Sequence, residues 1–224
     1  MKNLTHLPKH IAVAGTCLSA VLAASAANAE ISANVAIQSD YVWRGVSQNM
    51  ADPSIQGGFD YAHESGAYAG VWGASVDFGG VESTELDLYG GWGKEFENGV
   101  GIDLGLIEYS YHGGDNASDS NFTEAYIGAS YAGFAAYFYA GDEFDDLIEI
   151  SYSYDFESGF SVATTYGDYD AYSYYNLGVS TELNGIGLDL SYWDTDISLG
   201  DVAGDQDAFD LVDGRVVFTI SKEF

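Results

Sequence analysis

The chain has 224 residues, 6 basic against 35 acidic side chains, a formal net charge of −29 and an aromatic content of 15%. That acidity excludes a nucleic-acid partner, which needs a basic surface, and 18 Tyr, 12 Phe and 4 Trp exclude a disordered acidic tail. With one cysteine and two prolines there is no disulfide framework and no proline-rich linker, so a single domain is the simplest organisation.

Residues 1–29 read as an export signal. Lys2 and Lys9 precede an uncharged stretch from Ile11 to Ala27, and Ala27-Asn28-Ala29 supplies the small-x-small cleavage pattern. The run is short and rich in Ala, Ser and Gly, unlike a spanning helix. Cys17 leaves with the signal, and Ala14 stands where a lipoprotein signal wants an aliphatic residue. Removing 29 of 224 residues leaves 195, with Arg44, Lys94, Arg215 and Lys222 as the basic groups against 35 acidic ones, a net of −31.

From Ile31 the pattern has a period of two: Ile31, Ala33, Val35, Ile37, Tyr41 and Trp43 share one parity, and Ser32, Asn34, Gln38, Asp40 and Arg44 the other. A two-residue repeat belongs to a strand with one apolar and one polar face. The rhythm predicts about twelve strands, over 31–44, 54–63, 67–76, 84–94, 100–109, 122–131, 134–140, 147–156, 160–167, 174–183, 186–193 and 209–224. The uncharged run from Ala125 to Gly141 could be a short membrane helix, but Gly133 interrupts it and its aromatics alternate.

Tight turns at Glu64-Ser65-Gly66, 95–99, Ala132-Gly133, Glu157-Ser158-Gly159 and Asn184-Gly185 are predicted to alternate strictly with longer polar links at 45–53, 77–83, 110–121, 141–146, 168–173 and 194–208. Short turns at one end and long loops at the other describe a transmembrane antiparallel up-and-down β-barrel, all-β, occupying residues 30–224 in the outer membrane of a Gram-negative cell. A secreted β-sandwich is the rival, since single barrel strands signal weakly. Phe224 ends an alternating strand with Val216, Phe218 and Ile220, as an outer-membrane assembly signal read by the barrel-assembly machinery would.

A basic side chain at the lipid midplane costs about 2–4 kcal/mol, so the apolar parity should face lipid. Lys94 and Lys222 share it but sit at predicted periplasmic ends, where they can snorkel. The lumen parity then carries Asp40, Asp60, Glu85, Asp87, Asp103, Glu149, Asp155, Glu182 and Asp189, with Arg44 and Arg215.

The segment Ser39-Asp40-Tyr41-Val42-Trp43-Arg44-Gly45-Val46-Ser47-Gln48, followed by Pro53-Ser54-Ile55-Gln56-Gly57-Gly58-Phe59-Asp60-Tyr61, resembles the TorF family of porin-like outer-membrane proteins, whose physiological role is unassigned. His63 to Trp72 and Glu85 to Gly91 continue the likeness, which covers about the first third of the mature chain. The resemblance implies a barrel with porin-like activity and names no substrate.

Arg44 has two readings: a constriction residue that sets ion selectivity, or an ion-pair anchor that closes the first strand onto its neighbours. The loop acids Asp142, Glu143, Asp145 and Asp146 could meet a hard divalent cation or bridge to lipopolysaccharide, but they lack an EF-hand spacing and read first as a solvated, repelling face. Of the processed chain's histidines, His63 and His112, neither has a nucleophile motif, so no enzyme and no cofactor is expected. Because barrels of about eight strands are filled and those of about 16 to 18 are open, twelve predicts a narrow passage. The expected activity is passive diffusion of small hydrophilic solutes with cation preference, and a non-conducting structural or adhesive barrel is the alternative.

Overall fold

The computed structural model describes residues 29–78, 82–113, 117–143, 146–197 and 211–224; the expected signal lies almost wholly outside them. Among the described residues fourteen strands occur in chain order. They are β1 (Glu30–Gln38), β2 (Val42–Trp43), β3 (Val46–Ser47), β4 (Ser54–Ala62), β5 (Ala67–Asp77), β6 (Glu82–Glu95) and β7 (Gly101–His112), then β8 (Phe122–Tyr131), β9 (Phe134–Gly141), β10 (Leu147–Asp155), β11 (Phe160–Tyr169), β12 (Ser173–Leu183), β13 (Ile186–Thr195) and β14 (Arg215–Glu223).

Twelve of these close into an antiparallel barrel, each bonded to its neighbours along the chain, with β1 paired to β4 on one side and β14 on the other. The small pair β2–β3 stands apart as a second sheet. Residues 125–141 form parts of β8 and β9, and no described helix is long and apolar enough to cross a membrane.

The alternation expected from the sequence sorts the two faces. Ile31, Ile55, Phe59, Leu106, Ile127, Ile148, Leu177 and Val216 are among the large apolar side chains left exposed on the outside. Such a continuous apolar band suits lipid and is costly in water. The inside is packed with tyrosines and carboxylates, among them Tyr68, Tyr126, Tyr139, Tyr174, Glu85, Asp103 and Glu124. Phenols fit there because the ring fills space while the hydroxyl donates to an acid.

Five inward tyrosines are seated on glycines. Cross-strand partners Gly70 and Tyr89, Gly91 and Tyr68, Gly105 and Tyr126, Gly128 and Tyr137, and Gly167 and Tyr174 each place the ring where a Cβ on the glycine would stand. The glycines therefore remove a side chain so that the ring can lie over the neighbouring strand.

Three expectations are corrected. The first barrel strand stops at Gln38, not residue 44: Ser39 breaks the apolar parity, and beyond it residues of both parities, including Tyr41 and Val42, are buried. The last strand starts at Arg215 rather than residue 209, with residues 211–214 outside it and 209–210 outside the described residues. Links also fail to alternate strictly in length, because β5, β6, β11 and β12 pair further than periodicity indicated, leaving only 78–81 and 170–172 between them. The strand ends that the longer links 39–53, 113–121 and 196–214 join still share one end of the barrel, and the turns Ala132-Gly133 and Asn184-Gly185 mark the other.

Candidate functional site

Residues 39–53 fold into the barrel at its long-loop end. β2 and β3 pair as Val42 with Ser47 and Trp43 with Val46, joined by Arg44-Gly45 with φ of 49° and 86°. Two consecutive positive φ values make the tight hairpin turn also used at Ala132-Gly133 and Asn184-Gly185. Gly45 is required for space as well, since a Cβ would stand 2.8 Å from Cβ of Tyr174 and 2.5 Å from Cγ2 of Thr195. The tip thus reaches β13 and β12, the second and third strands round the barrel from β1.

The root is pinned by side chains. Arg215 donates to Asp40 at 2.7 Å, Ser47 Oγ donates to the other Asp40 oxygen at 2.7 Å, and the Asn49 amide nitrogen donates to the carbonyls of Asp52 and Pro53 at 3.0 Å. The backbone of Asp77 donates to Gln48 O at 3.0 Å, tying the returning arm to β5.

At the tip, the Arg44 guanidinium forks onto Glu124 of β8 at 2.7 and 2.8 Å and donates to the Tyr169 phenol of β11. It lies 4.4 Å from the Trp43 ring centroid, 4.7 Å from Tyr139 and 5.5 Å from Tyr169. Tyr172 Oη donates to the Arg44 carbonyl at 3.2 Å, and burial pushes its phenol up to about 12. Burial alone would lower the Arg44 pKa, but Tyr109 and Glu124 outweigh it and hold the guanidinium above its ordinary value. The pair is enclosed, with Arg44 5% and Glu124 1% exposed.

In and around this pair the wall carboxylates are wired to phenols. Asp103 accepts from Tyr68 at 2.7 Å and from Tyr137 at 3.4 Å, and Tyr68 is bonded to Tyr126. Glu149 accepts from Tyr174, Asp60 from Tyr89, Glu85 from Tyr111 and Glu124 from Tyr109. Asp87 and Asp189 are buried with neither carboxylate oxygen hydrogen-bonded among the described residues. Asp155, which accepts from Ser161 at 2.6 Å, and Glu182 are instead exposed at the short-turn end.

Of the residues anticipated from the sequence, Asp60, Glu85, Asp87, Asp103, Glu149 and Asp189 do line the interior. Arg44 and Asp40 reach it from the hairpin rather than from a strand, and Arg215 closes the hairpin's root. Glu124, Tyr139 and Tyr169 were missed; Glu124 shares the parity of Tyr126, which was the available signal. Asp142 caps the β8–β9 end by accepting from Thr123 N at 2.8 Å, Glu143 and Asp146 are exposed, and Asp145 lies outside the described residues. Among the described residues no group of three potential metal ligands gathers. The His63 and His112 rings lie within hydrogen-bond distance of the Ser65 and Ser110 hydroxyls, at 2.8 and 3.3 Å. Phe224 exchanges backbone hydrogen bonds with Ala33 while its ring stays exposed, and Lys222 donates to Gly185 O at 2.7 Å from the short-turn rim.

No curated protein matches the chain. The model of the Gcw_chp family, bacterial proteins of unknown function, matches residues 22–224, and the chain belongs to that family. Among solved structures it is similar to the KdgM porin, alone and in complex with disordered oligogalacturonate, each with a TM-score of 0.55 and 8% identity over 87% of this chain and 97% of that one. At such identity the likeness is one of fold.

Proposed function

We propose that this Gcw_chp family member is a narrow outer-membrane channel for passive diffusion of small hydrophilic solutes, preferring cations, with the 39–53 hairpin as its constriction. The observation that carries this reading is a closed twelve-stranded barrel, apolar outside and acidic inside, whose lumen is crossed by a hairpin pinned through Arg44 and Glu124. The porin fold of KdgM and the TorF-like segment around Trp43-Arg44 support it. Residues 1–29 serve as the export signal, Phe224 addresses the chain to the barrel-assembly machinery, and membrane lipid and lipopolysaccharide surround the apolar band.

The oligogalacturonate of the KdgM complex is a polyanion, and it does not suit this lumen. Arg44 and Arg215 are both committed to carboxylates, while Glu85, Asp87, Asp103, Glu149 and Asp189 repel anions. Charged linings of one sign set ion preference in pores.

Single-channel recording of refolded protein in a planar bilayer under a KCl gradient tests this reading. Discrete steps reversing on the cation side are expected, and anion preference would overturn the lumen assignment. A second reading, a non-conducting structural or adhesive barrel, is favoured by the enclosure of Glu85, Asp87, Asp103 and Glu124, none more than 1% exposed. Silence from folded, inserted protein would select it.

A further inference from the structure

Apart from Trp43 of the hairpin itself, the groups around the Arg44 guanidinium belong to the barrel: Tyr109 on β7, Glu124 on β8, Tyr139 on β9 and Tyr169 on β11. The guanidinium itself arrives on a separate element, the hairpin, from a residue held at positive φ. Glu124 is oriented by Tyr109, and the nearby Glu149 by Tyr174, through bonds in which Arg44 takes no part. The wall is therefore a preformed receptor and Arg44 its occupant.

The charge balance points the same way. Arg44 interacts with both Glu124 and Glu149, and Glu124 also acts on Asp87, whose two oxygens have no hydrogen-bond partner among the described residues. One cation thus faces two enclosed carboxylates, with a third, Asp87, acted on by Glu124. Enclosed acids that stay ionised need a cationic partner.

We infer that this wall box binds guanidinium-bearing organic cations as solutes, with Arg44 as a tethered stand-in that the solute displaces. The chemistry selects guanidinium over a simple ammonium. The planar fork matches the two Glu124 oxygens, and its faces lie against aromatic rings, whereas an ammonium is a compact, strongly hydrated point charge. This assignment deepens the channel reading and rests on it for transport, though not for binding.

The test separates the two. Arg44→Ala in detergent is titrated with methylguanidinium, with methylammonium as control, while its thermal unfolding midpoint is followed. A saturable rise with methylguanidinium alone, lost in Arg44→Ala/Glu124→Gln, is expected; Arg44→Gln replaces alanine if that variant does not insert. Folded variant with no rise overturns the inference. In bilayers, methylguanidinium should reduce the wild-type potassium current, and Arg44→Ala should tighten the apparent affinity on the order of tenfold or more by removing the tethered competitor. A rise in the midpoint with no effect on an existing potassium current would leave the box a structural anchor and overturn its role as a solute site. Absence of any potassium current from folded protein would overturn the channel reading, while the titration still decides whether the box binds.

Discussion

The two ends of the lumen solve the same electrostatic problem differently. At the long-loop end Glu124 and Asp40 are enclosed and each is matched by an arginine, with tyrosines filling the space between. At the short-turn end Asp155 and Glu182 share the inward parity but are exposed, with Ser153 exposed beside them and Ser151 and Thr165 half-buried. A carboxylate left in water needs no partner, whereas one sealed beneath a hairpin needs a cation or several donors. If the barrel conducts as proposed, this difference puts its constriction at the hairpin and its more exposed stretch at the opposite end.

Breaking the enclosed side should cost most. Glu124→Gln leaves the Arg44 guanidinium buried without its carboxylate and should lower stability by about 3 kcal/mol, at the low end for a broken buried pair because Tyr169 and the rings remain. Urea unfolding of protein inserted in phospholipid vesicles, followed by tryptophan fluorescence, measures it. Gly105→Ala forces Tyr126 off its seat and disturbs the Tyr68–Asp103 bonding, for a loss of about 2 kcal/mol in the same assay. Arg215→Ala at the hairpin root should cost about 1 kcal/mol, since that pair is nearer to solvent and Ser47 still serves Asp40. The exposed end sharpens the contrast from the other direction. Asp155→Asn with Glu182→Gln should change stability by no more than about 0.5 kcal/mol. It should nevertheless move the reversal potential under a KCl gradient toward zero. An equal stability loss at both ends would remove the distinction drawn between them.

The barrel itself was legible because its information is local. In Ile148 to Phe156 the period of two shows strand and facing together, and Asn184-Gly185 shows its hairpin in two residues. What escaped is non-local or mixed in pattern. Phe122, Glu124 and Tyr126 face inward against Thr123, Ala125 and Ile127, so neither parity is cleanly polar and Glu124 did not stand out. The hairpin escaped because Tyr41 and Trp43 continue the outward parity of Ile37, and only Ser39 breaks it. Its inward course is set by Arg44 meeting a residue 80 positions away and Asp40 meeting one 175 away. Arg44-Gly45 did carry a turn signal, since glycine at the second position suits a tight hairpin. The inward glycines were legible as strand residues but not as seats for tyrosines, because seating depends on cross-strand register.

The β1–β14 seam has a consequence in time rather than in space. Every other barrel pairing except that of β1 with β4 joins strands adjacent in sequence across a single link, and even β4 follows β1 after only the hairpin. The seam instead brings Asn34 to Glu223 and Gln38 to Thr219, closing a loop of nearly the whole described chain. Loop closure of that length is the slowest pairing to form. The curved sheet can grow strand by strand, but its two edges stay open to one another, and to neighbouring chains, until β14 arrives. The seam is therefore expected to be the last pairing of the barrel to form.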